Sequence, residues 1–279
     1  MTAKEFEGVA ILGAGNLGTA IAEGLLATGL YDPERIVATR RRTEHLSSLA
    51  EEGIRTTSDN REAVRGAEVV LVCVQPQQLD GVLDEIAAEL VPGSQIVIST
   101  VSGATIHAIR EHVGTEIPVV RAMPNTPALL GCGPTGRYAK PAFSARQRDL
   151  AESVLRSVGV TRWVDDESAM DAVTAVSGSG PAYFFLFMEA LTRAAEDAGL
   201  DAESARLLVL ETAFGAAKMA LESAEDVATL RRRVTSPGGT TERALAALEQ
   251  AGLREAVRAA VGAARDRAGE LGDQLGSDR

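Results

Sequence analysis

Three glycines, Gly13, Gly15 and Gly18, stand in the spacing G-x-G-x-x-G directly after the apolar run Val9-Ala10-Ile11-Leu12. Each has a distinct task at such a place. Gly13 permits a sharp strand-to-helix turn. Gly15 removes the side chain that would keep a diphosphate off the backbone. Gly18 lets the helix lie close on the sheet. The helix start then offers free N–H groups and the positive end of its dipole to phosphate oxygens. Gly13, Ala14, Gly15, Asn16, Leu17 and Gly18 are therefore the candidate dinucleotide-binding loop. The next β-branched run ends at Thr39 and is followed by Arg40-Arg41-Arg42. A carboxylate there would accept from a ribose 2′-hydroxyl and repel a 2′-phosphate, whereas guanidinium groups grip the phosphate. Arg40, and after it Arg41, is expected to do so. That favours NADPH as cofactor, with NADH kept as the alternative.

Further contacts are expected at the ends of later strands, where open α/β sheets take their ligands. Val74, Gln75 and Pro76 follow the third apolar run, and Met123-Pro124-Asn125-Thr126-Pro127 follows the fifth. Asn125 either presents an amide near the nicotinamide or caps its own turn. Two motifs in the second half are too polar and too glycine-rich for core. Ser177-Gly178-Ser179-Gly180-Pro181-Ala182-Tyr183 interrupts an apolar stretch, either for close approach of a ligand or as a kink at a packed interface. Ser236-Pro237-Gly238-Gly239-Thr240-Thr241 is a glycine turn opening a helix. Its amides at Gly239, Thr240 and Thr241, with the Ser236 and threonine hydroxyls, could hold a small carboxylate. Plain N-capping is the alternative.

The elements that must carry these residues follow from periodicity. Short β-branched runs at 9–12, 35–39, 69–74, 95–100 and 118–122 alternate with helical segments at 16–28, 43–52, 77–90 and 105–112. Near-continuous apolar strands are buried on both faces, so the spacing predicts a parallel sheet wrapped by helices, an α/β Rossmann-type doubly wound fold. Runs at 134–138 and 161–164 finish the sheet. From residue 168 only helices follow, at 171–176, 181–198, 202–222, 224–233, 241–251 and 254–271. The expected organisation is a dinucleotide-binding domain over 1–165 and an all-α domain over 166–279. The stretch 176–191 has little polar surface, so it must be buried within its domain or against a second subunit, and a homodimer is favoured.

Bulk properties narrow the partners. The chain has 279 residues, 45% of them hydrophobic, and a net charge of -11. The acid excess argues against nucleic acid. No apolar run reaches the roughly 20 residues of a membrane span. The N-terminus is unlike a signal peptide, which points to the cytoplasm. Cys73 and Cys132 have no metal-binding spacing, and His45, His107 and His112 form no cluster, so no metal is expected. A disulfide is not expected in that compartment.

The motifs together resemble the Δ1-pyrroline-5-carboxylate reductase family. The carrying residues are Gly13 to Gly18, Arg121-Ala122-Met123-Pro124-Asn125-Thr126-Pro127, Asp171-Ala172-Val173-Thr174 with Ser177 to Tyr183, and Ser236 to Thr241. The resemblance implies an N-terminal Rossmann domain and a helical dimerisation domain, with dimers assembling further into rings. It implies that Ser236, Gly239, Thr240 and Thr241 bind the carboxylate of pyrroline-5-carboxylate, that Thr241 hydrogen-bonds the ring nitrogen, and that Glu167, or Asp166 instead, lies near the substrate. The reaction implied is hydride transfer from a reduced nicotinamide to the imine carbon, giving L-proline. An iminium is already electrophilic, so positioning matters more than a strong general acid. Gln75 stands where the family usually has lysine. The alternatives are a reductase of a related cyclic imine acid and a non-catalytic NADP-binding regulatory protein. A β-hydroxyacid dehydrogenase would need a catalytic lysine, and Lys218 lacks that family's surrounding motif.

Overall fold

A computed structural model of the chain describes residues 7–277. Eight strands form one sheet: β1 (Gly8–Leu12), β2 (Ile36–Thr39), β3 (Arg55–Thr57), β4 (Ala67–Val72), β5 (Ile96–Ser99), β6 (Val119–Met123), β7 (Thr135–Ala139) and β8 (Thr161–Trp163), in the order β3-β2-β1-β4-β5-β6-β7-β8. All neighbours are parallel except β6 and β7, which run antiparallel. The strand order reverses between β1 and β4, which opens a crevice beyond their carboxyl ends. Leu12 pairs with Val72, and Ile11 with Ala38, so the ends of β1, β2 and β4 lie close to flush around it.

Alternate side chains feed two cores, which is why the strands read as unbroken apolar runs. Val9, Ile11, Val69, Leu71 and Ile98 join Ile21 and Leu25 of α1 (Asn16–Ala27) on one face. Ala10, Leu12, Val70, Val72 and Val97 join the other face. The intervening helices are α2 (Ser47–Glu51), α3 (Asn60–Val64), α4 (Leu79–Ile86), α5 (Ile106–Val113) and α6 (Ala145–Arg156). On that second face the strands meet Ala63 and Val64 of α3, Leu79, Leu83 and Ile86 of α4, and Ile106 and Ile109 of α5. A capping box between Ser144 and Gln147 starts α6.

The rest is helical: α7 (Ala169–Val173), α8 (Gly180–Asp197), α9 (Ala202–Glu222), α10 (Val227–Arg233), α11 (Thr240–Gln250) and α12 (Leu253–Ser277). A π-helical turn, Thr174–Gly178, follows α7 directly. Asp201 and Asp226 cap α9 and α10 by accepting from the Ser204 and Thr229 amides at 2.9 and 2.8 Å. Those bonds hold both carboxyls below their usual range. No described helix is long and apolar enough to cross a membrane.

The chain divides into two compact units. One runs through Ser179 and resumes at Ala263, and the other is Gly180–Gly262. The sheet ends at Trp163, close to the expected domain break at 165, yet α7 and the π-helical turn stay with the sheet. Val173 packs against Gly136 so tightly that a Cβ there would lie within contact of Cγ1. The second part of α12 also belongs to the sheet unit. Gly103 and Gly272 meet there, and a Cβ on either would come within 3.0 Å of the other's backbone. Within the helical unit α8 leaves Phe184, Phe185 and Leu186 exposed at 67%, 62% and 67%.

Two elements lie outside the sequence expectation, the edge strand β3 and the short helix α3. Two expected helices are subdivided. Residues 43–52 form a 3-10 turn, Thr43–Leu46, before α2, and residues 77–90 form α4 flanked by 3-10 turns at Pro76–Gln78 and Ala87–Glu89. Pro76 begins the first of these as an extended-to-helical transition, since proline fixes φ and lacks an N–H.

Candidate active site

The loop between β1 and α1 sets its three glycines in different surroundings. Gly13 sits at φ +78°, and a Cβ there would lie 2.5 Å from Val74 Cγ1. Gly18 faces Ile11, whose Cγ2 would be 3.0 Å from an added Cβ. Gly15 differs from both. Its backbone is extended, at φ −81° and ψ −159°, and the nearest atom to an added Cβ is the Gly13 carbonyl at 3.9 Å. The space over Gly15 is open. Gly15 is also the N-cap of α1, with no side-chain cap and no acid in the first turn. The first intrahelical bond runs from Thr19 to the Gly15 carbonyl at 2.8 Å. The amides of Asn16, Leu17 and Gly18 therefore have no intrahelical acceptor at a positive helix end, next to the open space over Gly15. That arrangement fits a diphosphate.

Thr39, 2% exposed at the end of β2, ties this loop to the rest of the sheet. Gly13 N donates to Thr39 Oγ1 at 3.2 Å, and Ala14 N donates to the Thr39 carbonyl at 2.7 Å. Thr39 Oγ1 in turn donates to Asn60 Oδ1 at 2.6 Å, and Asn60 Nδ2 donates to Glu85 Oε2 at 2.8 Å. None of Thr39, Asn60 and Glu85 stands out in the sequence, because the bonds cross between β2, α3 and α4. Arg40 is half-buried and Arg41 exposed, and no carboxylate pairs with either among the described residues. Both residues directly follow the carboxyl end of β2.

The β4 end supplies Val74, half-buried against Gly13, then the exposed Gln75 and half-buried Pro76. Cys73 beside them donates its amide to the Leu12 carbonyl at 2.8 Å. Burial pushes its thiol up to about 12, against a hydrogen bond to Thr100 that acts the other way. Asn125 is 9% exposed, and its Nδ2 donates to the Ser177 carbonyl at 3.1 Å. It precedes a 3-10 turn, Thr126–Leu130, without a side-chain capping bond. Its Oδ1 is buried without a partner, as is Ser177 Oγ. An orphaned acceptor of this kind costs about 1–3 kcal/mol unless a ligand or water supplies a donor. Ser177 lies in the π-helical turn, a distortion that recurs at functional sites.

Glu167 Oε1 accepts from the Ile106 amide at the start of α5, at 2.7 Å, and lies 3.9 Å from Arg121 Nη1. Arg121 is buried and donates to Asp171 Oδ1 at 2.8 Å. Glu167 thus has a helix-capping role within the sheet unit. Asp166 accepts from the Ser168 amide at 2.8 Å, and that bond holds its carboxyl low.

The 236–241 loop belongs to the helical unit. Gly238 turns the chain at φ +72°, and its amide donates to Glu242 Oε2 at 2.7 Å. Gly239 N donates to the Ser236 carbonyl at 3.0 Å and caps α11 without a side-chain bond. Of the three amides expected to face an anion, Gly239's is therefore engaged inside the turn. Those of Thr240 and Thr241 open the helix, where the first amides have no intrahelical acceptor. Ser236 and Thr240 are exposed and Thr241 is half-buried.

Comparison with known proteins covers most of the chain. Residues 167–271 match the family described as pyrroline-5-carboxylate reductase dimerisation, and residues 8–103 the family described as NADP oxidoreductase coenzyme F420-dependent. A Pseudomonas aeruginosa protein named pyrroline-5-carboxylate reductase is 45% identical, covering 96% of this chain and 98% of the relative. One from Vibrio alginolyticus is 40% identical, with 96% and 98% covered. Among solved structures, a pyrroline-5-carboxylate reductase from Coxiella burnetii superposes with a TM-score of 0.91 at 44% identity, covering 95% of this chain and 98% of that one. The Plasmodium falciparum pyrroline carboxylate reductase, solved with NADP bound, gives 0.85 at 29% identity, with 96% and 99% covered.

Proposed function

This chain belongs to the pyrroline-5-carboxylate reductase family, and on that premise we propose that it reduces Δ1-pyrroline-5-carboxylate to L-proline with NADPH, completing proline biosynthesis in the cytoplasm. The observation that carries the reading is the presence of two amide cradles in one chain. One, at the start of α1, suits a diphosphate, and the other, at the start of α11, suits a single carboxylate. The match to the dimerisation family begins at residue 167. It supports a functional division into a cofactor-binding part, 1–165, and a substrate-binding and dimerising part, 166–279.

Residues 13–18 hold the diphosphate through the Asn16, Leu17 and Gly18 amides. Arg40 and Arg41 take the 2′-phosphate by charge-assisted bonds, which is the ground for preferring NADPH to NADH. Val74, Gln75 and Pro76 wall the crevice, and the unpaired Asn125 Oδ1 accepts from the nicotinamide carboxamide. When bound, the reduced cofactor supplies the hydride. Thr240 and Thr241 hold the substrate carboxylate with their amides, and Ser236 adds a hydroxyl. The Thr241 hydroxyl orients the ring nitrogen and, with water, provides its proton route. Glu167 is assigned to the substrate side, with its carboxylate already fixed by the Ile106 amide. Gln75 keeps a hydrogen-bonding group where the family carries a cation, and so contributes less attraction to anions.

The exposed Phe184, Phe185 and Leu186 support a homodimer, since an apolar face of that kind marks an interaction surface. Assembly of dimers into a ring is an extension of the same reading. The test is NADPH oxidation by the purified chain with pyrroline-5-carboxylate, beside the six-membered homologue and beside NADH. Turnover of the five-membered imine with NADPH as the better cofactor is expected. A preference for the six-membered ring would overturn the substrate, and a preference for NADH would overturn the role of Arg40 and Arg41.

A further inference from the structure

We propose that Glu85 is a positioning residue for the dinucleotide loop, acting through Asn60 and Thr39. The inference rests on the reading that residues 13–18 bind the cofactor. Glu85 lies on α4 and Gly13 on the β1–α1 turn, and three consecutive hydrogen bonds join them. Asn60 Nδ2 donates to Glu85 Oε2 at 2.8 Å, Thr39 Oγ1 donates to Asn60 Oδ1 at 2.6 Å, and Gly13 N donates to Thr39 Oγ1 at 3.2 Å. Thr39 is buried, Asn60 and Glu85 are half-buried, and no ion pair holds the Glu85 carboxylate among the described residues. The main-chain carbonyl of Glu85 also accepts from Arg61 Nε at 3.0 Å. The same residue therefore grips α3 twice.

The direction of the whole chain is set at Glu85. An ionised carboxylate only accepts, so Asn60 must turn its NH2 toward it. That leaves Oδ1 facing Thr39, and the single hydroxyl proton of Thr39 goes to Asn60. A lone pair of Thr39 Oγ1 then faces the Gly13 amide, which needs an acceptor. Without Glu85 the Asn60 amide is free to turn over. In the reversed state it donates to Thr39, both Oγ1 lone pairs are then taken, and the hydroxyl proton is left without an acceptor unless the side chain turns away from Gly13. Gly13 stands at φ +78°, one of several conformations open to a glycine, so its bond to Thr39 helps to select it. Loss of the acceptor loosens the turn that aims the Asn16, Leu17 and Gly18 amides. A second consequence is that Thr39 offers no proton to a 2′-phosphate, so discrimination at that end is left to Arg40 and Arg41.

The test is direct titration of the full-length protein with NADPH and NADH, read by cofactor fluorescence, alongside steady-state kinetics. Glu85→Ala should weaken both cofactors by about tenfold, about 1.4 kcal/mol, because the relay reaches the shared loop. The kcat at saturating cofactor and the KM for the imine acid should stay within about twofold. In an Asn60→Ala background, Glu85→Ala should cost nothing further, since the relay is already cut. Binding unchanged in Glu85→Ala overturns the proposal. So do additive losses in the double variant, or kcat falling in parallel with affinity. Should Glu85→Ala fail to fold, Glu85→Gln keeps the bulk but lets the amide turn, and an unchanged affinity in that variant also overturns the relay. A wild-type protein that does not bind NADPH overturns the underlying reading instead, so the two failures are distinct.

Discussion

Replacing Gly13 and Gly15 separately by alanine should separate the two jobs of one loop, stability and binding. Gly13 sits at φ +78° with Val74 Cγ1 at 2.5 Å and Val74 Cα at 3.3 Å from an added Cβ. An L-residue in that conformation costs about 1–2 kcal/mol. Forcing a methyl into the stiff Val74 side chain adds about 1–3 kcal/mol. Gly13→Ala should therefore destabilise the folded chain by about 2–5 kcal/mol. Gly15 is extended at φ −81°, and its added Cβ would meet nothing nearer than 3.9 Å. Gly15→Ala should change stability by no more than about 1 kcal/mol, since the about 0.4–1 kcal/mol from a less flexible unfolded chain is offset by alanine being the poorer N-cap. The same methyl, however, covers the surface where the α1 amides are open. Keeping the diphosphate off two charge-assisted amide bonds, at about 1.5 kcal/mol each, costs about 3 kcal/mol, more than a hundredfold in Kd. Thermal denaturation of the cofactor-free protein and a fluorescence titration with NADPH read the two effects. A Gly15→Ala protein that binds NADPH as tightly as the wild type would refute the placement of the diphosphate. A Gly13→Ala protein of unchanged stability would refute the packing argument.

Four further outcomes follow from the same geometry. Replacing Arg40 and Arg41 together by Glu should weaken NADPH by at least about tenfold and leave NADH nearly unchanged, as judged by Kd for each; equal losses would argue against 2′-phosphate binding. Thr241→Ala should reduce kcat on the order of a hundredfold through misplacement of the ring, with NADPH affinity within about twofold, and unchanged turnover would remove its assigned role. A thiol reagent at neutral pH should label Cys132 alone in the folded protein and both cysteines after denaturation, since Cys132 is exposed while burial pushes the Cys73 thiol up to about 12. Asp226→Asn tests the α10 cap by pH. The carboxyl is lowered by its bond to the Thr229 amide, so its ionic contribution is full above the unfolded value of about 3.9 and is lost as pH falls through the folded value. The difference in Tm between wild type and variant should be flat above about pH 5 and shrink in acid; a constant difference down to pH ~3 would contradict it.

The parts legible in the sequence are those in which neighbours along the chain do the work. The glycine spacing fixes a turn within six residues, and the buried strands announce themselves because both faces are apolar. The run Arg55-Thr56-Thr57 gives no such signal. It is an edge strand held to β2 by main-chain pairing, so its side chains need not be apolar. Asn60 and Glu85 escape for a related reason. Their roles depend on partners 21 and 25 residues away along the chain, and neither residue type marks a site by itself. The π-helical turn at Thr174–Gly178 is also invisible to periodicity, because the small residues around Ser177 allow several local windings. The 236–241 loop is legible as a glycine turn that opens a helix. The self-contact of Gly238 with Glu242 appears only once the turn is built.

The sheet-bearing unit is discontinuous in sequence. It is left at Ser179 and rejoined only at Ala263, where the last helix returns to set Gly272 against Gly103. On a ribosome, the strands and their helices can pair early, but that seam cannot close until almost the whole chain has emerged. Closing so long an excursion costs on the order of 4 kcal/mol of chain entropy, and a helical unit already folded would reduce that cost by holding its two ends in place. The order of assembly is thereby imposed by connectivity. A chain shortened at Gly262 would keep every residue of its helical unit and yet lose part of the body that carries the glycine loop.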